Sequence, residues 1–267
     1  LYAVDIIGNI FRIDFAAPSG TERISTVKSE GRLFANVSDV NGKRRFYNSI
    51  DTAVSKLGLQ HRIHLNVGTG QRPDPLDLIN TNRFYSIIDP YVLDSLPGTA
   101  DFPVITESSL NNTTNETTID DGNGWYFNLP NAGEKVLSKS STRGGYVFFT
   151  TYYPPEPPDP DEKTCQAPWG KGYMYVVSLA NSAALSDSRQ FAIQATGIPP
   201  APTFLTLEQP PKDPDDPVPP LIKDPYISTD SKTVVLTGTE LVDFGDDGDK
   251  LRKLFDTPAE KVYWQQL

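Results

Sequence analysis

Tyr2-Ala-Val-Asp-Ile-Ile-Gly-Asn-Ile-Phe-Arg-Ile-Asp14 is the stretch whose reading decides the fold. Two apolar runs flank Gly8-Asn9, a dipeptide that tolerates positive φ, and an aspartate closes each run; the segment predicts a β-hairpin. The same texture recurs outward from it. Strands are predicted at 31–35, at 44–47 after the Asn41-Gly42 turn, at 61–70 into a glycine-rich turn, and at 83–89, where Asp89-Pro90 ends pairing. Further strands are predicted at 124–129, 134–138, 145–152, 171–179, 233–237 and 261–267.

Between these runs lie segments that read as loops: the Asn/Thr-rich stretch 107–124, and 153–168 and 208–226, both dense in proline and aspartate. One helical window is visible, Gly248 to Leu254. Thr, Val, Tyr and Phe dominate the apolar runs, and such side chains fit a pleated surface. The prediction is an all-β fold whose short strands, with recurring Tyr/Phe-Asp endings, stack radially as blades of a β-propeller rather than as one sandwich.

The chain has 267 residues, 24 of them proline and 19 glycine, and its net charge is −10. An acidic chain has nothing with which to neutralise phosphates, which excludes nucleic acid as a partner class, and the same sign opposes docking on anionic lipid. Acidity instead suits solubility outside the cell. No apolar run approaches the roughly 20 residues that cross a bilayer, so no membrane insertion is expected. Leu1 opens directly into a strand pattern with no leader. The chain therefore reads as the C-terminal part of one propeller domain, 1–267, with upstream blades absent, exposed sheet edges and lower stability than a longer chain.

Few residues point to chemistry. His61 and His64 lie three apart on a predicted strand, face opposite sides and read as ordinary sheet residues. Gly68-Thr-Gly70 lacks the third glycine and the helix of a dinucleotide loop. Asp5, Asp14 and Asp89 read as structural residues at blade turns. Asp243-Phe-Gly-Asp-Asp-Gly-Asp249 resembles a calcium loop, but Gly245 and Leu254 occupy positions that need ligands, and a solvated acidic turn is the better reading. Asn36, Asn112 and Asn115 open glycosylation sequons that mark surface. Cys165, the only cysteine, packs as a small side chain or pairs outside this chain. No catalytic, cofactor-binding or metal-ligating residue is assigned.

Several ordered strings carry a resemblance. Gly68-Thr-Gly-Gln-Arg-Pro-Asp-Pro-Leu76 followed by Arg83-Phe-Tyr-Ser-Ile-Ile-Asp89 is one. Gly124-Trp-Tyr-Phe-Asn-Leu129 with Gly133-Glu-Lys-Val-Leu-Ser138 is another. Phe148 to Tyr152, Cys165 with Gly170, Tyr173-Met-Tyr175, Gly197-Ile-Pro-Pro200 and Val262-Tyr-Trp264 continue the order. Together they resemble the C-terminal propeller of the PilY-type biogenesis factors and tip adhesins of type IV pili.

That resemblance implies a modified propeller at the end of a larger secreted protein on the pilus tip. It would contact minor pilins and a host or abiotic surface, support assembly against retraction, and take part in adhesion and twitching motility. In the family an Asp-rich calcium loop precedes the first strand. It would lie upstream of Leu1, so no calcium ligand is carried over, although calcium remains compatible with a longer chain. Two other classes share the architecture. A quinone-dependent dehydrogenase propeller would want a catalytic aspartate, a calcium cage and a tryptophan floor, whereas Trp125, Trp169 and Trp264 sit on blade or loop strings. A carbohydrate-binding propeller would draw on exposed Tyr and Trp. Contacts are expected on the three loops 107–124, 153–168 and 208–226.

Overall fold

A computed structural model describes residues 1–16, 28–38, 44–91, 101–120, 122–156, 169–185, 187–194, 197–208, 231–238 and 240–242. The predicted helix at 248–254, the predicted strand at 261–267, the acidic turn 243–249, Cys165 and Trp264 lie outside these residues, as do most of the loops 153–168 and 208–226.

The architecture is all-β, as predicted. In chain order the strands are β1 (Tyr2–Val4), β2 (Asn9–Ala16), β3 (Lys28–Asn36), β4 (Asp51–Leu57), β5 (Gln60–Gly68), β6 (Arg83–Asp89), β7 (Ile105–Thr106) and β8 (Asn111–Asn112). They continue as β9 (Gly124–Asn128), β10 (Ser141–Arg143), β11 (Tyr146–Tyr153), β12 (Lys171–Ser178), β13 (Gln190–Ile193), β14 (Pro202–Glu208), β15 (Ser231–Thr237) and β16 (Glu240–Leu241). Four sheets result, with strand orders β1-β2-β3-β7, β4-β5-β6-β9-β8, β10-β11-β12-β13 and β14-β15-β16. Each is built from antiparallel neighbours, consecutive in the chain except that β9 joins β6 past β7 and β8; these two add short parallel pairings to the first two sheets. The blades are therefore not uniformly four-stranded.

The opening hairpin forms as read, with one change. β1 stops at Val4, and the Asp5 carboxylate accepts from the Ile7 and Asn9 backbone N–H groups to shape the turn, while Gly8 takes φ +88°. A side chain on Gly8 would meet the backbone of Ser38 and Arg44. Ile6 and Ile7, read as part of a strand, are exposed turn residues.

Two predicted strands are not strands. Residues 44–47 carry no ladder: Phe46 plunges into the core while the Arg44 guanidinium donates to Thr81 O (2.9 Å) and Glu107 (3.2 Å). Residues 134–138 make a single bridge, Lys135 to Tyr152, and their consecutive burial comes from being packed between sheets. A buried connector has the apolar content of a strand without its pairing.

The core is divided. One cluster joins the first two sheets through Ile10, Phe34, Leu65, Val67, Tyr85 and Ile87. A second joins the second and third sheets through Phe84, Trp125, Phe127, Phe149, Tyr175 and Val177. A third joins the third and fourth through Phe148, Met174, Val176 and Val235. Inner strands such as β6 and β11 bury both faces, so they read as continuous apolar runs. In the second cluster the Phe84 and Phe149 rings stack with centroids 3.9 Å apart, and Tyr175 continues the stack at 4.8 Å. Such pairs contribute about 1 kcal/mol each beyond their burial. No cluster among the described residues joins the first sheet to the fourth, so the series is open.

Candidate functional site

Buried charges clasp the seams. Asp89, at the end of β6, accepts from the Tyr2 hydroxyl (2.7 Å), from the Arg12 guanidinium (2.7 Å) and from Tyr91 N (2.8 Å). Arg12 also donates to Asp14 (2.8 Å) and to Tyr91 O (2.8 Å). Burial first, and then the Asp89 carboxylate, raise the Tyr2 phenol above its ordinary range. Asp14 and Asp89 are structural, as expected, but they work within an inter-sheet ion cluster rather than at turns.

Glu107 stands in the stretch 107–124, read as a surface loop with external contacts. It instead accepts from Arg44, Arg83 and the Tyr85 hydroxyl. Burial opposes ionisation there, yet the bonds from Arg83 and Tyr85 outweigh it and hold the carboxyl below its ordinary value. The same stretch buries Leu110 and Thr113 and pairs β8 with β9, so only its later part is a loop.

Glu134, fully buried, accepts from Thr151 Oγ1 (2.5 Å), the Tyr175 hydroxyl (2.9 Å) and Asn131 Nδ2 (2.7 Å). Its neighbour Lys135 donates its ammonium to the carbonyls of Asp77 and Gly133, anchoring the loop before β6. Nothing in the residue pattern marks Glu107 as internal; Glu134 and Lys135 left one sign. An acid-base pair inside an otherwise apolar run, as in Glu134-Lys135-Val136-Leu137, was the available signal.

Two clefts open along the seam between the second and third sheets. One, of about 600 Å³, is lined by polar side chains including Asn115, Asn128, Asp187 and Gln190. Its aromatic floor, Phe127, is covered by the Arg189 guanidinium at 4.7 Å from the ring centroid, which leaves no ring face for a sugar to stack on. The other, of about 460 Å³, lies under the β4–β5 hairpin. The hairpin overhangs the third sheet, so Ser55, Leu57, His64 and Ile88 face Gly145, Leu179 and Ala180 across open space. The Trp125 indole N–H donates to Leu179 O (2.9 Å) and Leu179 N to Gly145 O (2.9 Å), which fixes the floor.

His61 is exposed and His64 buried, on opposite faces as expected. Both nitrogens of His64 are engaged, Nε2 with Ser55 Oγ at 2.8 Å and Nδ1 with Ser86 Oγ at 3.2 Å. Burial, reinforced by Arg62, lowers the imidazole from 6.5 to about 4. The folded protein therefore refuses a proton that the unfolded chain takes near pH 6.5. The neutral ring's stabilisation is complete above that pH and is lost as pH falls to about 4, a total of about 3 kcal/mol. Replacing His64 with Gln is expected to shrink the loss of unfolding free energy between pH 7 and 4.5 by about 2 kcal/mol in urea titrations. An unchanged acid slope would mean that His64 titrates as it does in an unfolded chain.

The remaining sequence candidates do not converge. Gly68 and Gly70 pack against Val136 and Lys135, where a Cβ would collide, so they serve close packing. Asn36 is not a free surface amide: its Nδ2 donates to Asn9, and its Oδ1 accepts from Ser38. Asn112 and Asn115 are exposed. Trp125 is wholly buried in the core while Trp169 is 70% exposed, so these two do not form one floor. Among the described residues no cluster of three or more His, Cys, Asp or Glu side chains is arranged to hold a metal ion. No described helix is long and apolar enough to cross a membrane.

These sheets define an all-β fold of the propeller type, with blades joined seam by seam. No protein-family model matches the chain, and no curated protein sequence matches it. Among solved structures, the C-terminal domain of Pseudomonas aeruginosa PilY1 superposes with a TM-score of 0.58 at 13% identity over 90% of this chain. The chain spans 56% of that domain's length. It thus has the fold of the PilY1 C-terminal domain, as the resemblance in its strings implies.

Proposed function

We propose that this chain is a non-catalytic interaction module of a type IV pilus-associated protein, acting at the pilus tip outside the cell. It supports pilus assembly against retraction and takes part in adhesion and twitching motility. The observation that carries this reading is the shared fold with the PilY1 C-terminal domain across 90% of the chain. The internal chemistry fits a scaffold. Arg12, Glu107, Glu134 and Lys135, the charged groups described at the seams, are spent on holding sheets and loops together. Minor pilins and a host or abiotic surface are the proposed partners, and any calcium site belongs to a longer chain.

Deleting the segment from its host gene, in strains with and without the retraction ATPase, tests the reading. Surface pili are expected to be lost only where retraction is active. Normal pilus numbers in both strains would defeat the assembly role.

A further inference from the structure

The guanidinium groups that clasp the seams face carboxylates: Arg12 meets Asp14 and Asp89, while Arg44 and Arg83 share Glu107. Arg189, half-buried just before β13, is held by neutral groups instead. Its Nη2 donates to Thr113 O (2.6 Å) and Ser182 Oγ (3.2 Å), its Nη1 to Thr114 O (3.4 Å), and its charge lies over the Phe127 ring. No described carboxylate is within ion-pair distance of it, and its Nε donates to no described group. Burial works against the charge of Arg12, Arg83 and Arg189 alike. Bonded carboxylates more than reverse it at the first two, whereas at Arg189 burial prevails, offset only by the Tyr175 phenol. The seat of this guanidinium is preformed. Thr113 and Ser182 are wholly buried, and the Ser182 hydroxyl donates to Thr113 Oγ1 (2.6 Å). Ser182 alone among the described non-glycine residues takes positive φ, at +58°, a strain that persists only where the surroundings over-determine it.

We propose that the 600 Å³ cleft at Arg189 binds a uronic acid residue of a surface polysaccharide, its carboxylate on Arg189 and its hydroxyls on the surrounding amides and Asp187. The proposal rests on the interaction-module reading and names what that module takes. The volume suits a small-ligand site, and the lining selects the chemistry. One guanidinium, one exposed carboxylate, Asp187, and the amides of Asn115, Asn128 and Gln190 surround the cleft. A fixed guanidinium out of bulk water bonds a carboxylate strongly, and a neutral sugar would leave it unmatched. Asp187 is an acceptor only, so it takes hydroxyl donors and repels a second negative charge, which favours a singly charged acid over a phosphate monoester. Asn115 is exposed and bonds to no described group, which leaves its amide for hydroxyls. An apolar peptide side chain finds no berth: Arg189 covers the Phe127 ring, Leu129 is buried, and the Tyr175 hydroxyl is spent on Glu134. The ion pair thus replaces the ring stacking that Arg189 blocks.

Methyl glucuronide and methyl galacturonide test this beside methyl glucoside and methyl galactoside, which carry a hydroxymethyl group in place of the carboxylate. Titrations are followed in nitrogen–proton correlation spectra that include the Arg189 Nε–H. A uronide is expected to shift that resonance and to bind at least about tenfold more tightly than its neutral parent. Asn115→Asp sets a second carboxylate at the mouth; it is expected to keep the melting temperature and weaken uronide binding about fivefold without changing that of the neutral sugar. Arg189→Gln should erase the difference between uronide and parent. Failure of both uronides to bind, equal binding of a uronide and its parent, or unchanged uronide binding by a folded Asn115→Asp protein overturns the proposal. So does acetate or inorganic phosphate that competes as well as the uronide, since the hydroxyls would then contribute nothing. None of these outcomes depends on pilus counts, so this site and the pilus reading fail separately.

Discussion

Alanine at Gly124 is expected to leave little folded protein at 25 °C. Gly124 opens β9 at φ +113°, a conformation that L side chains rarely adopt. The β6 backbone lies against its α-carbon: a Cβ would fall inside the carbonyl oxygen of Ser86 and 3.0 Å from Ile87 Cα. Relief would require β9 to move off β6, which would disturb Trp125 and the core between the second and third sheets. Strain and backbone overlap together exceed about 4 kcal/mol, a large part of the roughly 5–15 kcal/mol by which domains are stable. Gly145 is the control. It has φ +78° but open space around it, so Gly145→Ala carries the dihedral penalty of about 1 kcal/mol alone. Near-ultraviolet circular dichroism and thermal melts of the two variants separate strain from overlap. Indistinguishable melts would mean that β9 does not lie as close to β6 as described.

The second large effect is expected at Asp89. Asp89→Ala strips a buried guanidinium and a phenol of their shared acceptor, and removing one partner of a buried pair costs about 3–5 kcal/mol. Most of that cost is the buried Arg12 charge, which keeps Asp14 and the Tyr91 carbonyl but loses its fully buried carboxylate. A double variant, Arg12→Met with Asp89→Leu, is therefore expected to be more stable than Asp89→Ala alone, as measured by urea unfolding. If the double variant is the less stable of the two, the cluster contributes a net attraction that the desolvation argument denies.

The strands that proved legible are those with a local cause. Gly8 and its flanking runs specify the first hairpin, and the two-face burial of β6, β11 and β12 writes itself as unbroken apolar sequence. β4 was missed because Asp51-Thr-Ala-Val-Ser-Lys-Leu57 is an edge strand whose exposed residues dilute the pattern. Residues 44–47 and 134–138 misled for the opposite reason, since burial between sheets resembles burial within one. The two-residue parallel pairings of β7 and β8 leave no periodicity to read. The seam clusters were illegible in kind. Arg12 and Asp89 are 77 positions apart, and Glu107 meets Arg44 across 63. Only the stacking of sheets brings such pairs together, so a buried acid looks like any other acid in the chain. The cleft at Arg189 depends on the same long-range placement.

Among the described residues each sheet shares a core cluster with its sequence neighbours alone, so the described body is, mechanically, a set of couplings in series. Tension applied across it is borne in full by every seam in turn, and it yields where one seam is weakest rather than sharing the load. A pulled molecule would then lengthen in discrete steps, a sheet at a time, dissipating work at each step.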